Sequence, residues 1–147
     1  MSSPAKTSLG EAERQAIVDA IGDAERGNVG EVRVHLEERC PGDDALARAK
    51  DLFRRLGLHQ TKRSTGVLLY VATLDRRAAV FAADGLHGAT DPAVWQGVVG
   101  CIAAGYKAGR PGEALVEALG MVGEILRRHA AGHDVHGDEL PNELSGS

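Results

Sequence analysis

Carboxylates and bases able to act together fall in three places along the 147 residues: Glu31 after Gly30, Lys62-Arg63 ahead of Gly66, and Asp84-Gly85 with Asp91 beyond. Carboxylates beside the carbonyls of a glycine turn suit a hard divalent cation, because calcium takes roughly six to eight oxygen ligands in flexible geometry. With Glu31 and Asp84 as the acids, and Asp91 as a third, the expected affinity is modest and water fills the rest of the shell. The structural alternative is that Glu31 and Asp84 pair with Lys62, Arg63 or Arg33 as surface ions, or cap backbone amides. Lys62 and Arg63 next to a cation would hold a phosphate, and metal plus basic groups is the minimum for phosphoester hydrolysis. A hydrolase also needs a nucleophile or an activated water. Ser64, Thr65 and His87 stand nearby without forming a recognisable motif.

Other chemistry finds less support. The chain has no Gly-x-x-x-x-Gly-Lys-Ser/Thr loop and no Gly-x-Gly-x-x-Gly after a strand, so nucleotide binding has no motif behind it. His129, His133 and His136 with Asp134 and Asp138 would gather imidazoles if their helix continued, but Gly132 interrupts it and a fraying helix end is the better reading. Cys40 and Cys101 read as buried, reduced thiols, with no convincing His partner in sequence.

The elements that must position the acids follow from periodicity. Ser8 and Glu11 have capping-box spacing, and Ala12, Ala16, Ile17, Ala20, Ile21 and Ala24 recur as on a helix stopped near Gly27. From residue 31 to 39, Val32, Val34 and Leu36 alternate with Arg33, His35 and Glu37, which predicts a strand with one face better buried than the other. Pro41-Gly42 breaks the chain, and Asp43 or Asp44 caps a helix carrying Leu46, Ala49, Leu52, Phe53 and Leu56. The unbroken run Val67 to Ala72 predicts a central strand covered on both faces. Leu74-Asp75-Arg76 makes a tight connection to a third strand, Ala78 to Ala83. Asp91-Pro92 and Pro111-Gly112 open two final helices, and a polar tail follows from His133 to Ser147.

The order helix, strand, helix, strand, strand, helix, helix predicts an α/β domain with a small mixed sheet. Strands one and two are parallel through a right-handed crossover and the hairpin makes strand three antiparallel. That topology collects the starts of strands one and two and the end of strand three at one edge. Glu31, the loop from Lys62 to Thr65, Asp84 and the Gly85-Leu86-His87-Gly88 turn meet there.

Composition limits the partners. Hydrophobic residues make up 43% and charged residues 26%, ordinary for one globular domain, expected over residues 9–130 with a disordered start at 1–8 and a polar tail at 131–147. Seventeen basic against 21 acidic residues give a net charge of −4 with no basic stripe, and aromatics are only 3%, so nucleic acid is not an expected partner. The amino terminus lacks the apolar core of a signal peptide, and no run approaches the roughly 20 apolar residues that cross a bilayer. The expectation is a soluble, cytoplasmic monomer with no membrane partner.

Several segments taken together carry a resemblance. They are Ala24-Glu25, Gly30-Glu31-Val32-Arg33-Val34, Ala49 through Phe53, Leu56-Gly57-Leu58, Thr61, Gly66 through Ala72, Asp75-Arg76, Asp84-Gly85-Leu86-His87, Trp95 and Asn142-Glu143-Leu144. In order and spacing they resemble the TPM domain over about residues 9 to 144. The resemblance implies a three-layer α/β/α sandwich. It further implies a family in which some members are exported, tethered and described as acid phosphatases, while others bind calcium without clear phosphatase activity. Glu31 and Asp84 match the family's acidic positions and Arg63 its polar loop, with no catalytic residue carried over. The expected function is therefore calcium binding at the acidic edge in a binding or assembly role rather than as an enzyme. A metal-assisted acid phosphatase, with Lys62 and Arg63 on the phosphate, is the first alternative, and a metal-free module that docks a protein partner is the second.

Overall fold

Alternating apolar residues make a strand of Glu31–Glu37 (β1), and an unbroken apolar run makes another of Gly66–Ala72 (β2). In the computed structural model they pair in parallel over their whole length, Glu31 opposite Gly66 and Glu37 opposite Ala72. The structure describes residues 9–60, 64–87, 90–130 and 144–146.

Helix α1, Glu11–Ala24, starts at Gly10, whose N–H donates to Glu13 Oε1 at 3.2 Å. The expected cap from Ser8 lies outside the described residues. After β1, helix α2 spans Ala45–Arg55, and of its two candidate caps Asp44 is the one used: Oδ1 accepts from the N–H groups of Leu46 and Ala47 at 3.0 and 3.1 Å. Gly57 turns the chain with φ 79°, a conformation that costs glycine little, and a 3₁₀ turn at Leu58–Gln60 follows.

A tight turn returns β2 as Arg77–Ala82 (β3), antiparallel as expected, with Val67 opposite Ala82. The short helix Asp84–His87 (α3) comes next, then Pro92–Lys107 (α4) and Pro111–His129 (α5). The tail adds a strand that the sequence did not announce: Leu144–Gly146 (β4) pairs in parallel with β1, so the order across the sheet is β3-β2-β1-β4.

The layers form an α/β/α sandwich around this mixed sheet. On one face Val32, Val34, Leu36, Val67, Leu69, Val71 and Val80 join Ile17, Ile21, Val98, Ile102, Leu115, Leu119 and Val122 from α1, α4 and α5. On the other, Leu68, Tyr70 and Ala79 meet Ala49, Leu52 and Phe53 of α2. Each large apolar side chain sealed there contributes about 1.5–3 kcal/mol. One expectation needs correction: β1 was to have a less buried face, yet all seven of its residues are buried. Cys40 and Cys101 are free thiols. Among the described residues no helix is long and apolar enough to cross a membrane.

Candidate functional site at the strand ends

The predicted edge exists as backbone. Glu31 N–H donates to Thr65 O at 3.3 Å, and Ala83 N–H donates to Gly66 O at 2.9 Å, so the starts of β1 and β2 and the end of β3 lie side by side. Gly66 is required at this point because a Cβ there would sit 2.9 Å from Leu58 O and 3.2 Å from Phe53 Cζ. Thr65 Oγ1 donates to Val29 O at 2.8 Å and ties the loop before β2 to the entry of β1.

The acidic residues are placed unequally. Glu31 and Asp84 stand on opposite sides of β2, two strand spacings or roughly 10 Å apart along the backbone. Glu31 is buried, 4% exposed, whereas Asp84 opens α3 and is exposed. Asp91 is exposed and acts as the N-cap of α4, its Oδ1 accepting from Ala93 N–H at 2.9 Å. Thr90 links α3 to α4: its hydroxyl donates to Leu86 O and accepts from Trp95 Nε1, both at 2.8 Å. Lys62 and Arg63 lie outside the described residues, as do His133, Asp134, His136 and Asp138. Among the described residues no group of three or more His, Cys, Asp or Glu side chains is arranged to hold a metal ion. A cation at this end would draw its remaining ligands from carbonyls and water.

The sequence reading missed a polar cluster at the opposite end of the same strands. Arg33, His35 and Glu37 follow Glu31 along the α2 face of β1, away from the cation edge, and all are buried. Arg48 of α2 reaches Glu37 with Nε to Oε2 at 2.8 Å and Nη2 to Oε1 at 3.0 Å, and the Tyr70 hydroxyl donates to Oε2 as well. The hydrogen bond to Glu37 holds the Arg48 guanidinium above its ordinary pKa, and burial followed by Glu37 pushes Tyr70 well above its own. The His35 ring stacks on Tyr70 with centroids 6.2 Å apart, its Nε2 lying 3.9 Å from Glu37 Oε1. Burial lowers the His35 pKa against the pull of Glu37. Beyond β1, Asp75 accepts from Cys40 N–H at 2.7 Å and from Arg39 Nη1 at 2.9 Å, which keeps its carboxyl below the usual range. The available signal was Tyr70: a tyrosine on a central strand needs a partner for its hydroxyl, and an acid at the same depth of β1 is the nearest source.

Comparison with known proteins adds to the geometry. The model of the TPM domain family matches residues 5–125. Among solved structures, the chain is similar to the NMR structure of BA42 protein from the psychrophilic bacterium Bizionia argentinensis, at 34% identity and TM-score 0.87 over 100% of both chains. It also resembles the N-terminal domain of a protein from P. gingivalis, at 18% identity and TM-score 0.71 over 88% of this chain and 85% of that one. A third likeness is to the N-terminal domain of cg2496 protein from Corynebacterium glutamicum, at 10% identity and TM-score 0.65 over 90% and 85%. These last two concern the fold alone. No curated protein gives a significant match.

Proposed function

The chain belongs to the TPM domain family, and on that premise we propose that it is a binding domain that takes a divalent cation, calcium first, where β1 and β2 begin and β3 ends. The supporting observation is the register that sets Glu31 and Asp84 on the two sides of Gly66. Asp84 supplies the exposed carboxylate and Glu31 a buried one, carbonyls and water complete the shell, and Asp91, held in the cap of α4, adds negative charge nearby. With so few side-chain ligands, the dissociation constant is expected on the order of 10⁻⁴ M, in the range of weak calcium modules. Binding would neutralise the acidic strand ends and present that edge for assembly with a protein partner.

Hydrolysis is the lesser reading, because the Thr65 hydroxyl, a nucleophile candidate at this end, is engaged by the Val29 carbonyl. Calorimetric titration of chelator-treated protein tests the proposal. Saturable calcium uptake lost in Asp84→Asn supports it, and no uptake by the wild type at millimolar calcium contradicts it. Calcium-dependent turnover of an aryl phosphate, also lost in Asp84→Asn, would transfer the same edge to an acid phosphatase.

A further inference from the structure

The sheet ends at β3, and the hydrogen-bond phase of its ladder fixes which groups are left over. Ala83 N–H donates to the facing Gly66 O, so Phe81, Ala79 and Arg77 bond inward to Leu68, Tyr70 and Ala72 in the same phase. Ala78, Val80 and Ala82 therefore turn their N–H and C=O groups away from the sheet, and among the described residues no strand pairs with them.

Edge strands are usually blunted by lysine, proline or a bulge. Residues 78 to 83 are Ala-Ala-Val-Phe-Ala-Ala, without charge or proline, and the register to β2 runs unbroken. A groove of about 850 Å³ runs along this edge, walled by the starts of α2 and α4, with Leu46, Trp95 and Val99 among its lining. Leu46 is 52% exposed.

The walls select the occupant. Helix α4 packs on β3 and α5, and α2 on β2 and β3, so both helices reach out to the edge. A second copy paired edge to edge would bring its own α4 to within about one strand spacing, ~4.8 Å, of this α4, where helices need about 8–10 Å. A lone strand has no such helix. Antiparallel addition is the more stable pairing per residue, and charge sets the chemistry of the strand's end. Arg76 and Arg77 stand where β3 begins, and among the described residues neither makes an ion pair. Asp44, beside them, is turned into the α2 cap, and Asp75, though close enough to Arg77 to feel its charge, is bonded to Arg39 and to Cys40 N–H, which leaves Asp43 as the opposing acid in the groove. A strand antiparallel to β3 leaves the groove at this point by its C-terminal end, where an acidic residue meets both arginines.

We propose that the β3 edge is a docking site for an extended, uncharged segment of a partner protein that adds antiparallel to β3 and carries acidic residues at its C-terminal end. Main-chain bonds to Ala78, Val80 and Ala82 hold it, and its side chains fall alternately toward α2 and α4. The site is separate from the cation proposal, so it is tested in the presence of a chelator.

The probe is a fluorescein-labelled peptide of alternating Val and Thr ending in two Glu residues, followed by polarisation and amide NMR. The expected result is saturable binding with shifts at Ala78, Val80 and Ala82, abolished by N-methylation at alternate residues of the probe. Replacing the two terminal Glu residues by Lys should weaken binding about five- to tenfold, the scale of exposed ion pairs, and the double variant Arg76→Glu, Arg77→Glu should reverse that preference. Absence of saturation at millimolar peptide, or equal binding of the N-methylated probe, overturns the proposal. So does self-association of the protein through the same amides without peptide.

Discussion

The guanidinium of Arg48 on α2 grips the carboxylate of Glu37 at the end of β1 through two bonds, of 2.8 and 3.0 Å, at a place where Glu37 is 6% exposed. It is a polar link between α2, whose apolar packing is mainly on β2 and β3, and the neighbouring strand β1. Removing one partner of a buried pair leaves the other charge poorly compensated, so Arg48→Met is expected to cost about 3 kcal/mol. Tyr70→Phe, which deletes a donor to the same carboxylate, should cost about 1.5–3 kcal/mol. Urea unfolding checks both. The double variant Glu37→Gln, Arg48→Met should lose less than the sum of its single changes, because the two residues act as one unit.

His35 makes stability depend on pH. Burial holds its pKa below the ordinary 6.5, with Arg48 and Arg33 adding to the effect and Glu37 opposing it. The unfolded chain takes up this proton near pH 6.5 while the folded protein resists it, so below that value the unfolded state binds more protons and stability falls. Above it both states are neutral at this residue and the contribution is fully present. The urea midpoint should therefore hold from pH 8 to 7 and decline from 6.5 toward 5. His35→Gln should flatten that decline, and an unchanged slope would show that another group carries it.

The contact of α4 with α5 leaves no room at Gly105, where a Cβ would overlap the Cβ of Ala114 and approach Arg110 O to 3.2 Å. Gly105→Ala gains helix propensity but forces the helices apart, and a net loss of about 1–3 kcal/mol is expected. Gly100 has open space around its missing side chain, so Gly100→Ala should stabilise by up to about 1 kcal/mol. Thermal melts of the two variants should move in opposite directions.

Asp91 separates capping from cation binding. Asp91→Ala removes the acceptor for Ala93 N–H and should cost about 1 kcal/mol with or without calcium. Asp91→Asn keeps an oxygen for the cap and loses the charge, so it should preserve the melting temperature while weakening calcium uptake. Equal uptake by Asp91→Asn and wild type would leave Asp91 a cap alone.

The parts of this architecture legible in the sequence are those with a local cause. Val32, Val34 and Leu36 alternate, Gly66 to Ala72 is unbroken, and Asp91-Pro92 starts a helix, so element types, the parallel pair and the hairpin follow from periodicity and connection length. The placing of Glu31 and Asp84 at the same end of the sheet, on either side of Gly66, followed from that topology as well. What stayed hidden depends on distant partners. The same alternation in β1 marks Arg33, His35 and Glu37 as solvent-facing, and it takes partners from other elements, Arg48 and Tyr70 among them, to bury that face. β4 is three residues long and far from β1 in sequence, so no local pattern marks it. The open phase of the β3 ladder is set by one bond, from Ala83 to Gly66, which composition does not encode.

Calcium titration of chelator-treated protein followed by amide NMR, with magnesium as the comparison, tests the proposed cation edge most directly. Saturable shifts confined to residues around Glu31, Gly66 and Asp84, with calcium preferred over magnesium, are the expected result. Shifts that are absent, or confined to His129 through His136, would contradict it.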